Sequence, residues 1–404
     1  LTEIWRYYAQ IMRFGKSDGE FFSFPYNCGM PPSTNKTAHA FRRGPSPLPL
    51  TMGFALNEYR ALEAGGVGSA ELAAMMEGIR KYQDHPFRRK VPLYETIWQS
   101  GEARLLRHKR RSAKANRAPL LLIPSLINGS AILDLLPRRS FMRHLEQQGH
   151  DAILLDWGKP QLDPAMKNSE SLILNRLIPA MDYMRDRFGQ PAHMLGYCMG
   201  GLLLLAALSL RTELGGRIAL LGAPWDFHGG DRRMLNHVAA GTPAAYQAIS
   251  DRGYLPAQWI QSIFAAMNAD RAGKKFAGFA TMNQDSAAAR LFVAVEDWLN
   301  DGIDLPAAFA RDCITDWYGQ NTPGTGGWMV QGRAIDPSAM TNHILVVAAK
   351  KDRLVPPESS TALMKRLRHG QALVPDTGHI GMMAGRNAKR KVWTPVSDWL
   401  LSTG

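Results

Sequence analysis

The sequence predicts an α/β fold, a mainly parallel sheet covered by helices and interrupted by an inserted helical cap. Three observations carry this expectation. From residue 118 onward, short apolar runs alternate with segments of helical period, the pattern of strands joined by crossover helices in a sheet buried on both faces. Residues 227–315 break the alternation with a mostly helical stretch rich in Ala, Met and aromatics, Trp259, Phe264, Phe276, Phe279 and Trp298 among them. Between these regions a short strand runs into a glycine-flanked cysteine, Cys198, and then into an apolar helix.

Taken in order, the first fifty residues show neither helical nor strand period and contain many breakers, so an irregular tail is expected. The chain opens on Leu1, and a reading frame extended upstream of a start at Met30 or Met52 would account for the tail. Helical patterns follow at 52–64 and 69–84, then two strands, 91–98 and 103–108, with the tight connection of an antiparallel hairpin. The βα alternation reads as strand 119–124, helix 138–148, strand 152–155, a long Ser-capped helix 169–188, strand 192–197, helix 199–211 and strand 217–221. After the cap it resumes with strand 344–349, a helix near 358–367, strand 371–375 and a last helix at 392–401. The expected units are the tail 1–50, a first part of the core with its N-terminal helices at 51–226, the cap at 227–315, and a second part of the core at 316–404.

Composition narrows the function. Of 404 residues, 45% are hydrophobic and 21% charged, the balance of a soluble globular protein, which excludes disorder over the whole length. The longest apolar stretches, 118–127 and 200–210, fall short of the roughly 18–20 residues of a bilayer span. No transmembrane segment and no secretory signal are read, and a cytoplasmic location is expected. Three cysteines, Cys28, Cys198 and Cys313, cannot build a disulfide framework or a multi-cysteine zinc site. No His/Cys/carboxylate cluster has metal-ligand spacing, so no metal is expected. The net charge of +13 favours anionic partners. Its densest run, RLLRHKRRSAKANR at 104–117, reads as a solvated hairpin, and without a binding motif beside it nucleic acid is not expected as a partner.

The chemistry centres on Gly196-Tyr197-Cys198-Met199-Gly200-Gly201. A strand before it and a helix after it make it a nucleophile elbow with cysteine in place of serine. A nucleophile on a strained strand-to-helix turn needs small neighbours, and a helix N-terminus favours the thiolate. An α/β-hydrolase scaffold then requires an acid and a histidine, in that order, on loops after later strands. Asp352 follows the strand at 344–349 and His379 follows the strand at 371–375. His379 is expected as general base and Asp352 as its orienting partner. Alternatives stay open: Asp352 as a turn cap, Asp376 as the acid, His379 as a surface loop residue. His193, on the elbow strand, is read as structural. The oxyanion hole is assigned to the backbone N–H of Met199 and to one in the loop after strand 119–124, with Ile127 chosen.

Several ordered blocks resemble the polyhydroxyalkanoate synthases: PLLLIPSLINGSAILDL with GHDAILLDWGKP, the elbow GYCMGG, LGAPWDF, DWYGQN leading to GGWMVQGRAID, and KKDRLVPP with TGHIGM. They run from about residue 90 to the C-terminus, and the compact length after the elbow looks like the short synthases that work with a second subunit. Two positions depart from the family pattern, Arg353 after the acidic residue and Gly129-Ser130 after Asn128. The resemblance implies the same triad, Cys198, Asp352 and His379, and 3-hydroxyacyl-CoA substrates polymerised through acyl-Cys198. It implies association with polyester granules, and a synthase subunit or a second copy of the chain as protein partners. CoA would be a product, with no bound cofactor. The competing functions are a cysteine thioesterase or carboxylesterase of the same fold, which differs in accepting water, and a catalytically silent granule-binding protein.

Overall fold

The computed structural model describes residues 42, 44–53, 68–109 and 118–402. Most of the expected tail, including Cys28, and residues 54–64 of the first expected helix lie outside the described residues.

Eight strands form one sheet: β1 (Tyr94–Ser100), β2 (Ala103–His108), β3 (Ala118–Ile123), β4 (His150–Asp156), β5 (Ala192–Tyr197), β6 (Gly215–Leu221), β7 (Ile344–Val347) and β8 (Gly370–Leu373). They lie in the order β1-β2-β4-β3-β5-β6-β7-β8. The β1–β2 hairpin and the β2–β4 pairing are antiparallel, and every later pairing is parallel. Side chains alternate between faces along each strand. Leu121, Ile123, Met194 and Ile218 enter one core, and Leu120, Leu122, Leu195 and Ala219 enter the other. Both faces are therefore covered, which is why the central strands read as unbroken apolar runs.

Helices α1 (Gly68–Asp84), α2 (Phe141–Gln148), α3 (Ile178–Phe188) and α4 (Met199–Leu210) precede the cap in the chain, and α4 leads directly out of the elbow. Ten of the twelve residues of α4 are buried, as its sequence of leucines, alanines and glycines requires of a central helix. Between β6 and β7 the chain leaves the sheet for α5 (Arg233–Arg252), α6 (Ala257–Met267), α7 (Ala269–Ala280), α8 (Ala287–Asn300) and the short α9 (Ala307–Arg311), which runs into a π-helical segment, Asp312–Gly319. The last helix is α10 (Thr394–Leu401).

Some expected elements are displaced for identifiable reasons. The helix expected over 169–188 is capped by Asn168, whose side chain accepts the Ser171 N–H, and its Ile173–Leu177 turn is π-helical. Pro179 follows that turn and has no N–H to give to the ladder. The expected helix 392–401 likewise begins with a π-helical turn, Lys389–Trp393, ahead of Pro395. The first hairpin strand starts at Tyr94 rather than residue 91, since Pro92 cannot pair and Val91 and Leu93 stay exposed. The helix near 358–367 is α-helical only over Pro357–Thr361 and tightens to a 3-10 turn after it. Of the basic run 104–117, residues through His108 belong to β2, where Arg104 pairs with Asp156 and Arg107 with Asp151; residues 110–117 lie outside the described residues. Within the expected tail, Arg42 is buried against Asp297 of α8 (2.6 Å) and residues 48–53 are helical. Charge pairing and packing against the cap organise a stretch that has no periodicity of its own.

Candidate active site

Cys198 sits between β5 and α4 with φ 54° and ψ −129°, a conformation that costs a non-glycine residue free energy and persists only where the surroundings enforce it. Its N–H is held by the Leu221 carbonyl (2.9 Å) and its carbonyl by the Gly201 N–H (2.9 Å). The glycines around it are sterically required. A Cβ at Gly196 would lie 2.4 Å from Gly201 Cα, and one at Gly200 would lie 2.3 Å from the Pro124 carbonyl oxygen. This crossing of β5, α4 and the end of β3 is what the sequence motif encodes.

The structure brings Asp352 and His379 to this turn from the ends of β7 and β8. His379 Nδ1 donates to Asp352 Oδ2 at 2.6 Å, and Cys198 lies close enough to the ring to favour its charged form. Asp352 Oδ1 accepts the N–H groups of Leu354 and Val355, both at 2.9 Å. One Asp352 oxygen thus caps the turn and the other contacts His379, so the two readings of this residue are compatible in one conformation. Burial works against the His379 imidazolium, but the Asp352 carboxylate and Cys198 outweigh it and hold the ring well above the usual imidazole range. Tyr197 stacks near the ring and donates to the His379 carbonyl oxygen (3.4 Å). Asp376 does not compete: its half-exposed carboxylate pairs with Lys351 at 2.7 Å. His193 lies away from the site, where its Nδ1 accepts the Arg217 N–H (3.0 Å).

Met199 and Ile127 both line the cavity above the sulfur. The Met199 N–H heads α4, where the first turn has no intrahelical acceptors. The Ile127 N–H is engaged by Ser125 Oγ at 3.2 Å, so an oxyanion there would have to displace that hydroxyl. The loop carrying Ile127 is fastened to the end of α8: Asn128 Nδ2 donates to the carbonyls of Trp298 (3.1 Å) and Leu299 (3.3 Å), and Trp298 Nε1 donates to the Gly129 carbonyl (2.7 Å).

The cavity over Cys198 is about 90 Å³ and almost wholly apolar, with Phe227, Met234, Trp259, Ile263 and Ile314 in its walls. Through Phe264 and Leu354 it adjoins a wider space of about 310 Å³ between α6, α7 and α8. Sequence reasoning missed two members of this site. Gly222 has φ +56°, and a Cβ there would meet the His379 ring at 3.0 Å. Tyr318 enters the cavity wall from the π-helical segment. Gly222 could have been found as the residue just past the end of β6, because open α/β sheets place their sites beyond the strand C-termini. Tyr318 comes from the insertion, and no strand register points to it.

Comparison with known proteins agrees with this architecture. The alpha/beta hydrolase fold family matches residues 118–385, a span holding Cys198, Asp352 and His379. The poly(3-hydroxyalkanoate) polymerase subunit PhaC of Haloferax mediterranei is 28% identical over 312 residues, covering 76% of this chain and 63% of that protein. Its counterpart in Haloarcula marismortui is 28% identical over 288 residues, 70% of this chain and 60% of that protein. The same-named subunit of Allochromatium vinosum is 25% identical over 317 residues, 76% of this chain and 87% of that protein. The chain thus spans less than two thirds of the two haloarchaeal relatives and most of the third. A cysteine elbow, an Asp–His pair closing on it, a sheet of this order and a family match across two thirds of the sequence lead to one statement: the chain belongs to the alpha/beta hydrolase fold family.

Proposed function

We propose that the protein is an acyltransferase that polymerises 3-hydroxyacyl-CoA thioesters into a polyester through an acyl-Cys198 intermediate. The observation that carries this reading is a cysteine, rather than a serine, on the elbow beside a His379 that is hydrogen-bonded to Asp352, beneath an apolar cavity. The names of the curated relatives support it.

In the first half-reaction His379 takes the Cys198 proton and the sulfur attacks the thioester carbonyl carbon. The oxyanion is received by the Met199 N–H and, once it displaces the Ser125 hydroxyl, by the Ile127 N–H. Collapse breaks the carbon–sulfur bond to CoA, whose thiolate takes the proton back from His379. Because one thioester replaces another, little free energy is lost and the acyl group stays activated. In the second half-reaction His379 takes the proton of a 3-hydroxyl on another acyl group. The alkoxide oxygen attacks acyl-Cys198, an ester bond forms, and the departing Cys198 sulfur recovers its proton. An apolar cavity suits this second step, since water is the competing acceptor. The reading uses no bound cofactor and places the protein in the cytoplasm at polyester granules, with a second synthase subunit or a second copy of the chain as partner.

The test is CoA release from 3-hydroxybutyryl-CoA by the purified full chain, with products analysed by mass, beside Cys198→Ala. Oligomeric hydroxyacyl product that disappears in the variant is expected. Release of CoA with only monomeric acid would make the protein a thioesterase and overturn the polymerase reading.

A further inference from the structure

Among the described residues lining the cavity over Cys198, one side chain carries oxygen, Tyr318. The remaining heteroatoms are the sulfurs of Cys198, Cys313, Met199 and Met234 and the indole nitrogen of Trp259, and that N–H is already donated to the Gly241 carbonyl (3.1 Å). The hydroxyls of Tyr82, Tyr94, Tyr197 and Tyr246 each have a partner, and those of half-buried Tyr183 and Tyr254, which lie outside this cavity, have none among the described residues. No described residue hydrogen-bonds the Tyr318 hydroxyl. Of these three phenols without a partner among the described residues, Tyr318 alone lines the apolar cavity over Cys198, so its donor is free for what enters that cavity.

The ring is held for this role. Tyr318 lies in the π-helical segment Asp312–Gly319, a local geometry found disproportionately at functional sites. Its carbonyl accepts from His228 Nε2 (2.8 Å), and its ring packs edge-on against Phe227 with centroids 4.9 Å apart. Burial, with Cys198 and Cys313 nearby, raises the phenol's proton affinity, so the group stays a donor.

We propose that Tyr318 is a specificity-determining residue that donates a hydrogen bond to the oxygen on C3 of the acyl group seated over Cys198. The inference rests on the reading of the substrate as an acyl thioester and adds what selects it: an oxygen three bonds beyond the thioester carbonyl carbon, in a cavity whose other walls offer it nothing. A plain acyl chain leaves the phenol unpaired, and sites with a committed polar group reject the analogue that lacks its partner.

The experiment compares 3-hydroxybutyryl-CoA with butyryl-CoA on the full chain and on Tyr318→Phe, which keeps the ring and removes only the hydroxyl. Two readouts are taken: CoA release, and protection of Cys198 from iodoacetamide. The wild type is expected to prefer the hydroxylated thioester, and Tyr318→Phe to lose about tenfold or more of that preference with butyryl-CoA little changed. Equal loss for both thioesters, or an unchanged preference, would overturn the proposal. If neither thioester releases CoA, the acyltransferase reading fails, while protection of Cys198 still decides the inference. Hydroxyl-selective protection abolished in Tyr318→Phe would uphold it, and equal protection by both compounds in the wild type would sink it.

Discussion

The ring of His379 stands where a side chain on Gly222 would have to be: a Cβ at that position would lie 3.0 Å from both Cε1 and Nδ1. Gly222 also has φ +56°, a region that favours glycine. The end of β6 thus sets the position of a histidine delivered from the end of β8. Gly222→Ala is expected to cost about 1–2 kcal/mol of stability. It should also lower kcat by about tenfold or less, because the His379 ring need move only a few tenths of an ångström, against about 100-fold for a shift of about 1 Å. CoA release and urea unfolding check this, and an alanine variant with full kcat would show that His379 has room to spare.

Asp352 has separate duties for its two oxygens, one for His379 and one for the Leu354 and Val355 amides. Asp352→Asn can keep only one of them with an oxygen. If the amide nitrogen turns to His379, Nδ1 must give up its proton and the ring presents the wrong tautomer to Cys198. A fall in kcat of about 10³–10⁴-fold is expected in a folded protein, read by CoA release beside circular dichroism. A loss of tenfold or less would remove Asp352 from the orienting role.

Far from the site, His108 is buried between Asp134 (2.7 Å) and Glu146 (2.9 Å) and stacked on Tyr94. Burial opposes its charge, yet hydrogen bonds to the two carboxylates raise it to about 9. Because the folded value lies above the unfolded one, its contribution is fully present below about pH 6.5 and is lost as pH rises through 9. Unfolding free energy should fall by about 3 kcal/mol across that window. His108→Gln should flatten this dependence and cost about 3–5 kcal/mol near neutral pH by leaving two carboxylates buried without their cation. Urea unfolding at a series of pH values checks both, and a wild-type profile flat from neutral to alkaline pH would contradict the first.

Asn128 donates to the Trp298 and Leu299 carbonyls in the last turn of α8, which among the described residues are otherwise held only by the Asp301 N–H (3.2 Å) and Gln261 Nε2 (3.4 Å). Asn128→Ala should cost about 1–2 kcal/mol of stability. By loosening the loop that carries Ile127, it should also lower kcat about tenfold, less than the roughly 10²–10³-fold lost when an oxyanion donor is removed outright. An Asn128→Ala enzyme destabilised but with unchanged kcat would exclude Ile127 from the oxyanion hole.

What was legible in the sequence follows the local steric code. The elbow could be read because Gly196 and Gly200 stand where a Cβ would come within 2.4 and 2.3 Å of neighbouring backbone. Asp352 and His379 could be read because each follows an apolar strand in a sheet whose order is nearly fixed by its right-handed crossovers. Tyr318 was not legible, since its place depends on how a helical insertion folds back over the sheet. The docking of Arg42 on Asp297 was equally hidden, because it joins segments 255 residues apart with no periodic pattern at one end. The π-helical turns before Pro179 and Pro395 show the same limit on a smaller scale: proline announces a disturbance in the ladder without saying how the chain absorbs it.

The fastening of Asn128 and Gly129 to Trp298 and Leu299 makes the loop after β3 and the end of α8 a single body. Any outward swing of α8 that widened the adjoining space between α6, α7 and α8 would carry the Ile127 loop with it. Access and reactivity are then interlocked. On the proposed mechanism, a site open enough to exchange its contents would lose the Ile127 amide from the oxyanion, so an acyl-Cys198 exposed to water at that moment would be least able to react with it.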